Sequence, residues 1–508
     1  MARRTSRRRL APTPLIGTGA LLVTIGVGLW VVAGARWRTP TGFVLGRLPP
    51  GVDRANLNVL LVTLDTTRAD RLAAYGFSGI ETPFLDRLAR EGVRFDQTAS
   101  AAPLTLPAHC SLFTGRLPPQ HGVRENGMAL RSSEVTLAAI LKAQGFQTAA
   151  ITSSFVVASQ FGLNRGFDEY VDYLDESADK AGPRARRVLR RPANEVADRA
   201  LDWLQAHEGS RFFAWLHFYD AHAPYEPPEP YRTLYALDPY LGEIAFVDEQ
   251  LGRVLGFLDS RHLLDRTIVV VIGDHGESLG EHGERTHGLF VYEGVLRVPF
   301  IIRAPFTGLR GRQVDEPTRS IDMMPTVLDL LGIGVPRETQ GRSLAGLMTG
   351  AERGLDLETY SESLYPRDHF GWSDLHATRA GRFKVIVAPR PELYDLVADP
   401  HELRNLYPER SALGDRMAAR ARALADVRGS EPPEVPRSGQ PGGSGSRVDS
   451  EARARLAALG YVGGATERAV QNQAGLPDPK DRIDLYNLII APAALNAAAR
   501  RSDARGIP

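Results

Sequence analysis

Asn58-Val-Leu-Leu-Val-Thr-Leu64 and Thr267-Ile-Val-Val-Val-Ile-Gly273 are two short, unbroken apolar runs rich in β-branched residues. A central strand of a parallel sheet reads this way, because helices cover both of its faces. Each run ends on charge: Asp65 follows the first, and Asp274 with His275 follows the second. In open α/β sheets, ligands collect outside the carboxyl ends of the strands. Two carboxylates and an imidazole converging there make a site for a divalent metal ion. A third stretch, Leu104-Thr-Leu-Pro-Ala-His-Cys-Ser-Leu-Phe-Thr-Gly-Arg116, supplies Thr105. A hydroxyl brought to such a metal becomes a nucleophile. Pro107 and Gly115 frame a short helix from Pro107 to Thr114, with Thr105 just ahead of it. Free backbone N–H groups and the positive end of the dipole favour an anion at that point.

Strand and helix patterns alternate from about residue 55 to 345, which predicts an α/β fold with a doubly wound, mostly parallel sheet. Glu195–Ala206 and Tyr240–Leu258 carry apolar residues at helical spacing. A smaller unit follows over 356–425, where Arg379-Ala-Gly-Arg-Phe-Lys-Val-Ile-Val387 reads as a hairpin. Residues 428–447 are rich in Gly, Pro and Ser and read as a flexible linker. The remainder, 451–508, reads as a helical tail with an apolar stretch from Ile483 to Ala499. It is too short for a stack of helical repeats, and a protein contact through it is expected.

The start of the chain speaks about location. Residues 1–14 are arginine-rich and read as cytoplasmic, and 15–35 is an uncharged stretch long enough to span a bilayer. The charge asymmetry predicts a membrane anchor with the rest of the chain on the extracytoplasmic side, periplasmic or extracellular. Ala33-Gly-Ala35 also fits a signal-peptide cleavage site, and Ser6-Arg-Arg-Arg-Leu10 a twin-arginine export signal. Every version exports the domain that follows. Residues 39–54 then read as a stalk. A single cysteine among 508 residues excludes an intrachain disulfide, and a net charge of +1 gives no signal for nucleic acid.

The order of motifs resembles the sulfatase branch of the alkaline phosphatase superfamily. The matching stretches are Asn58 to Asp70, Leu104 to Arg116, His121-Gly-Val, Phe218-Tyr-Asp-Ala-His-Ala-Pro-Tyr225 and Gly273-Asp-His-Gly-Glu-Ser-Leu-Gly-Glu-His-Gly283. Leu393-Tyr-Asp-Leu followed by Asp399-Pro-His-Glu matches the family's C-terminal part. The resemblance implies a smaller C-terminal antiparallel sheet with a helix. It also implies an enzyme that hydrolyses sulfuric, phosphoric or phosphonic esters of a small molecule, glycan or lipid. It places the metal on Asp65, Thr105, Asp274 and His275, and active-site roles on His222 and His287.

Three departures from the family pattern shift the expected chemistry. Sulfatases carry Cys-x-Pro-x-Arg, whose cysteine becomes formylglycine; here those positions hold Thr105 and His109, and Cys110 lies five residues late. Threonine is the nucleophile of phosphoryl-transferring relatives and lacks formylglycine's special exit route for sulfate, which tilts the expectation toward phosphorus esters. Thr66 replaces a second aspartate, and His275 stands where asparagine is common. One divalent metal ion is therefore expected, with Mn or Zn favoured over Ca. Finally, the four lysines, Lys142, Lys180, Lys384 and Lys480, all lie outside the catalytic motifs, and Ile151-Thr-Ser-Ser-Phe-Val replaces a lysine-bearing segment. The candidates to neutralise the transferred group are Arg68, His109, Arg116, His222 and His287. Two alternatives remain open at this point: an envelope transferase of phosphoryl head groups, and a non-catalytic binding protein on a degenerate domain.

Overall fold

The computed structural model describes residues 37–172, 190–426, 455 and 475–489. Eight strands form the main sheet. In chain order they are β1 (Asn58–Leu64), β2 (Val93–Ala99), β3 (Gln147–Ile151), β4 (Glu169–Val171), β5 (Phe212–Phe218), β6 (Thr267–Gly273), β7 (Arg297–Arg303) and β8 (Arg312–Arg319). Their spatial order is β4-β3-β5-β1-β6-β7-β2-β8. The pairs β4–β3, β3–β5, β5–β1, β1–β6 and β2–β8 are parallel, and β7 runs against both its neighbours. This is the doubly wound, mostly parallel sheet expected from the two apolar runs.

Alternate residues of the central strands enter two separate cores. Val59, Leu61, Val270 and Ile272 join one, and Leu60, Val62, Val269 and Val271 join the other. Helix α1 (Pro83–Glu91), helix α3 (Ala193–Ala206) and the long helix α4 (Pro239–Ser260) contribute to the second core, and helix α2 (Thr105–Thr114) to the first. Both faces being covered is the physical reason that neither run tolerates a polar alternation.

A second sheet, β9 (Thr359–Ser363), β10 (Leu375–Ala380), β11 (Phe383–Val387) and β12 (Glu392–Asp395), is antiparallel throughout. The expected hairpin is its β10–β11 pair. Helix α5 (Ser411–Ala425) packs Met417, Ala418 and Ala421 on its Val385, Val387 and Leu393. The sheet leans on the site end of the main domain, where Glu362 N–H donates to Ala101 O and the Ser361 hydroxyl donates to Ser100 O at 2.6 Å.

Two expectations are corrected. Helix α2 begins at Thr105 itself, with Leu104 as its cap, so the hydroxyl sits in the first turn and not ahead of it. Gly115 closes the helix in the left-handed region, φ 63°, as expected. Residues 39–54 are no free stalk. Trp37–Arg38 pairs with Val335–Pro336, Thr41 bonds Asp329 through N–H and hydroxyl, and Leu45 is buried. Residues 475–489 of the tail are docked too, with Tyr486 only 2% exposed inside the first core. The stretches expected as anchor (15–35) and linker (428–447) lie outside the described residues, as does the rest of the tail apart from residue 455; among the described residues no helix is long and apolar enough to cross a membrane.

Candidate active site

The sheet register assembles the site. Leu64 is level with Phe218 on β5 and Gly273 on β6, so the residues that follow β1 and β6 emerge side by side. Asp65 N–H donates to Phe218 O at 2.9 Å, and Asp274 N–H to Leu64 O at 3.4 Å. Thr66 turns the chain away at once with φ 50°, a conformation a β-branched residue rarely takes. Its N–H donates to Asp274 Oδ1 at 3.3 Å. Asp65, Asp274 and His275 each bring a ligand atom within 4.8 Å of the others, and all three are buried.

The Thr105 hydroxyl reaches into this group. It lies 3.3 Å from His275 Nε2 and hydrogen-bonds the Asp65 carboxylate. His275 Nδ1 bonds Gly276 O at 2.9 Å, which fixes the ring and leaves Nε2 facing the cluster. Burial drives Asp65 well above the usual carboxylate range; burial and then the Asp65 charge do the same to Asp274. Burial also lowers His275 to about 4.

Among the described residues, Asp65 Oδ1 and Asp274 Oδ2 have no hydrogen-bond partner although both are buried. Two orphaned carboxylate oxygens beside a neutral imidazole nitrogen fit a divalent cation, which would offset the burial of both charges. The residues present therefore fit the expected metal.

His109 is near the cluster but held on both nitrogens. Nδ1 bonds Thr105 O at 2.8 Å and Nε2 bonds Thr63 Oγ1 at 3.0 Å, while Nδ1 is 3.6 Å from Asp274 Oδ2. It braces the first turn of α2. His222 and His287 meet edge to face with centroids 4.9 Å apart, and the His287 ring lies 4.5 Å from that of His275. His222 Nδ1 bonds Ala223 O at 2.7 Å.

Two candidates fall away. Arg68 is only 2% exposed but is spent elsewhere. It donates to Asp70 at 2.7 and 2.8 Å, to Glu281 at 3.0 Å and to Glu277 O at 3.0 Å. Arg116 grips both oxygens of Glu134 through Nη1, at 2.9 and 2.7 Å. Both arginines are held in ion pairs with neighbouring carboxylates.

A sequence model described as sulfatase matches residues 57–333, and a second, the C-terminal region of N-sulphoglucosamine sulphohydrolase, matches 280–425. The chain belongs to the sulfatase family. An arylsulfatase of Clostridium perfringens is 27% identical over 438 residues, covering 69% of this chain and 90% of that protein. A multifunctional alkaline phosphatase superfamily protein of Trinickia caryophylli is 26% identical over 469 residues, covering 69% and 91%. The fold is shared with the phosphonate monoester hydrolase of Agrobacterium radiobacter, at a TM-score of 0.62 and 24% identity over 72% of this chain and 95% of that one. As a sulfatase-family member the protein is an ester hydrolase. Sulfatases generally bind a divalent metal, and the Asp65–Asp274–His275 group is where this one has room for it.

Three further residues lie beside this group in the sulfatase-family chain. His217 is the penultimate residue of β5 and places Nε2 3.3 Å from Asp65 Oδ2. One polar residue in Phe212-Phe-Ala-Trp-Leu-His-Phe218, near the carboxyl end, was its only signal. Glu277 is buried and bonds both His287 Nδ1, at 3.0 Å, and the Tyr225 hydroxyl, at 2.9 Å. Burial raises Glu277 to about 8 and lowers His287 to about 3. Asn126 accepts from Leu106 N–H at 3.0 Å, beside Thr105, and its buried Nδ2 has no partner among the described residues. Cys110 is a buried core residue of α2.

Proposed function

We propose that this sulfatase-family protein hydrolyses phosphate, phosphonate or sulfate esters with Thr105 as nucleophile and one bound divalent cation. The observation that carries the reading is the Thr105 hydroxyl in the first turn of α2, among Asp65, Asp274 and His275. Those three side chains and Thr105 are the residues that would hold the cation. When bound, it supplies positive charge that lowers the pKa of Thr105 and polarises the ester.

Thr105 Oγ1 attacks the phosphorus or sulfur in line with the leaving oxygen. The buried amide of Asn126 and the imidazoles around it face the equatorial oxygens, while Arg68 and Arg116 are committed to ion pairs. Glu277, raised to about 8 and so itself protonated, faces His287 Nδ1, which leaves the neutral imidazole its proton on Nε2; His287 gives that proton to the leaving oxygen as Glu277 passes its own to Nδ1, with His222 beside it. Water then attacks the threonine ester and frees the anion. A phosphothreonine can be released this way, whereas sulfate loses the diol exit of formylglycine, so phosphorus esters are preferred. The arginine-rich start and the apolar stretch over 15–35 support export and anchoring.

The test is turnover of matched aryl sulfate, phosphate monoester, phosphate diester and phosphonate ester with Mn²⁺, Zn²⁺ or Ca²⁺, beside Thr105→Ala. Fastest turnover of a phosphorus ester, lost in the variant, supports the reading. Turnover that survives Thr105→Ala rules out the nucleophile, and fastest turnover of sulfate overturns the preference.

A further inference from the structure

The docked segment 475–489 reaches the loop that carries His287. That loop is a tight hairpin: Ser278 N–H donates to Thr286 O and Gly280 N–H donates to Glu284 O. Asn487 Nδ2 donates to Gly283 O at 2.8 Å, and Ile483 packs against Gly283. The Tyr486 phenol is hydrogen-bonded with the side chain of Thr286, the residue before His287. The Tyr486 ring meets Phe370 and Tyr365 edge to face, with centroids 5.8 and 6.3 Å apart. The near end of the segment is pinned independently. Pro477 O accepts from Ser373 N–H, Asp478 accepts from Arg390 N–H at 3.0 Å, and Lys480 Nζ donates to Arg390 O at 2.7 Å.

The same aromatic cluster connects to the other side of the site. Tyr365 packs on His369 at 4.3 Å, and His369 Nε2 lies 3.7 Å from Glu125 Oε2. Glu125 Oε1 accepts from Asn126 N–H at 2.9 Å, and Asn126 in turn holds Leu106 N–H beside Thr105. A continuous path of contacts therefore runs from the nucleophile's helix to the His287 loop, and Tyr486 is its last link. A side chain placed about an ångström off can cost 10²-fold in rate, so a loop carrying an acid needs such bracing.

We propose that Tyr486 is a positioning residue, holding the His287 loop in register with Thr105 through its bond to Thr286 and its packing on Tyr365 and Phe370. This rests on the reading of His287 as the group that protonates the leaving oxygen. A misplaced acid matters most where the leaving oxygen is basic. Rates on phenyl and para-nitrophenyl esters of the same acid separate a positioning effect from a general loss of structure.

The experiment compares the full-length protein with its Tyr486→Phe, Tyr486→Ala, Asn487→Ala and His287→Ala variants. Tyr486→Phe keeps the ring and removes only the bond to Thr286, so it remains informative if Tyr486→Ala does not fold. The expected result is a kcat loss of about tenfold or more for Tyr486→Ala on the phenyl ester, and about threefold for Tyr486→Phe, with KM unchanged. On the para-nitrophenyl ester both stay within about twofold. Equal losses on the two esters, or no loss, overturn the inference, provided His287→Ala itself discriminates between them. If His287→Ala treats both esters alike, the reading of His287 fails instead.

Discussion

Glu277 and His287 form a buried carboxyl–imidazole pair, with His287 Nδ1 3.0 Å from Glu277 Oε1 and the Tyr225 hydroxyl on Oε2 at 2.9 Å. Burial keeps Glu277 protonated up to about pH 8, so the pair orients the imidazole with Nε2 as the atom available to a substrate. Glu277→Gln keeps an acceptor for Tyr225 and a donor for Nδ1 but has no acidic proton to pass to the imidazole. The expected outcome is a fall in kcat of roughly 10²-fold with little change in KM. Steady-state kinetics on a phenyl ester check it. A variant with unchanged kcat would show that the pair is a packing feature only.

Asp65 and Asp274 are both buried beside each other, and each leaves a carboxylate oxygen without a hydrogen bond among the described residues. A bound cation relieves both, so the folded state is stabilised by mass action, by about 2.7 kcal/mol at a free cation concentration of 100 times Kd. Mn²⁺ or Zn²⁺ should therefore raise the Tm of the stripped protein by a few degrees, and Ca²⁺ by less. Asp274→Asn should abolish that response while leaving the stripped protein as stable as before or more so, because it removes one of two repelling buried charges. Thermal melts with and without each cation read both effects. A cation-dependent shift that survives in Asp274→Asn would move the metal away from this group.

The parts of the site legible in the sequence are those fixed by continuity along one strand. Asp65, Asp274 and His275 follow unbroken apolar runs, and the parallel register does the rest. Thr105 stands at the family's cysteine position, and the proline and glycine that bracket its helix support it, though the helix starts two residues earlier than the proline suggests. The misses are long-range pairings, which local pattern does not encode. Whether Arg68 serves the substrate or a carboxylate depends on Asp70 and Glu281, and Arg116 depends on Glu134. His217 lies in a strand buried along its whole length, where polarity rather than periodicity was the only clue. The docking of Tyr486 depends on partners at Thr286, Tyr365 and Phe370, more than a hundred residues earlier in the chain.

Lys384 joins the two sheets. Its Nζ lies 2.9 Å from Glu293 Oε1 and 2.9 Å from Glu402 Oε1, and the lysine is 2% exposed. Glu402 also accepts from Glu293 N–H, so one cation holds together the helix that precedes β7 and the loop that follows β12. Lys384→Met fills similar volume but leaves two carboxylates buried and facing each other. The expected cost is about 3–5 kcal/mol, from the stranded charges rather than from the lost attraction alone. Urea unfolding measures it. Adding Glu402→Gln to Lys384→Met should recover part of the loss, and failure to recover would mean that the packing of the lysine stem, not its charge, is what matters.

Asp248 caps helix α1 from α4, accepting Leu85 N–H at 2.8 Å and Phe84 N–H at 3.1 Å. Burial nonetheless raises its pKa to about 7, against those two hydrogen bonds and with Asp86 adding to the rise. The folded state therefore holds this proton more tightly than the unfolded chain, whose aspartate titrates near its ordinary value of about 3.9. Below that value both states are protonated and the contribution to stability is complete. As pH rises from about 4 to about 7 the unfolded state loses the proton first, and stability falls, by on the order of 4 kcal/mol over the window. Above pH 7 both states are ionised and the slope ends. Asp248→Asn has no proton to lose, so its stability relative to the native sequence should climb through that window and level off above it. The missing second acceptor of the amide adds a constant offset that leaves the slope untouched. Unfolding free energies at a series of pH values between 4 and 8 test this. Parallel curves for the two proteins would mean that Asp248 is ionised in the fold throughout, its charge held by the two N–H groups at the start of α1.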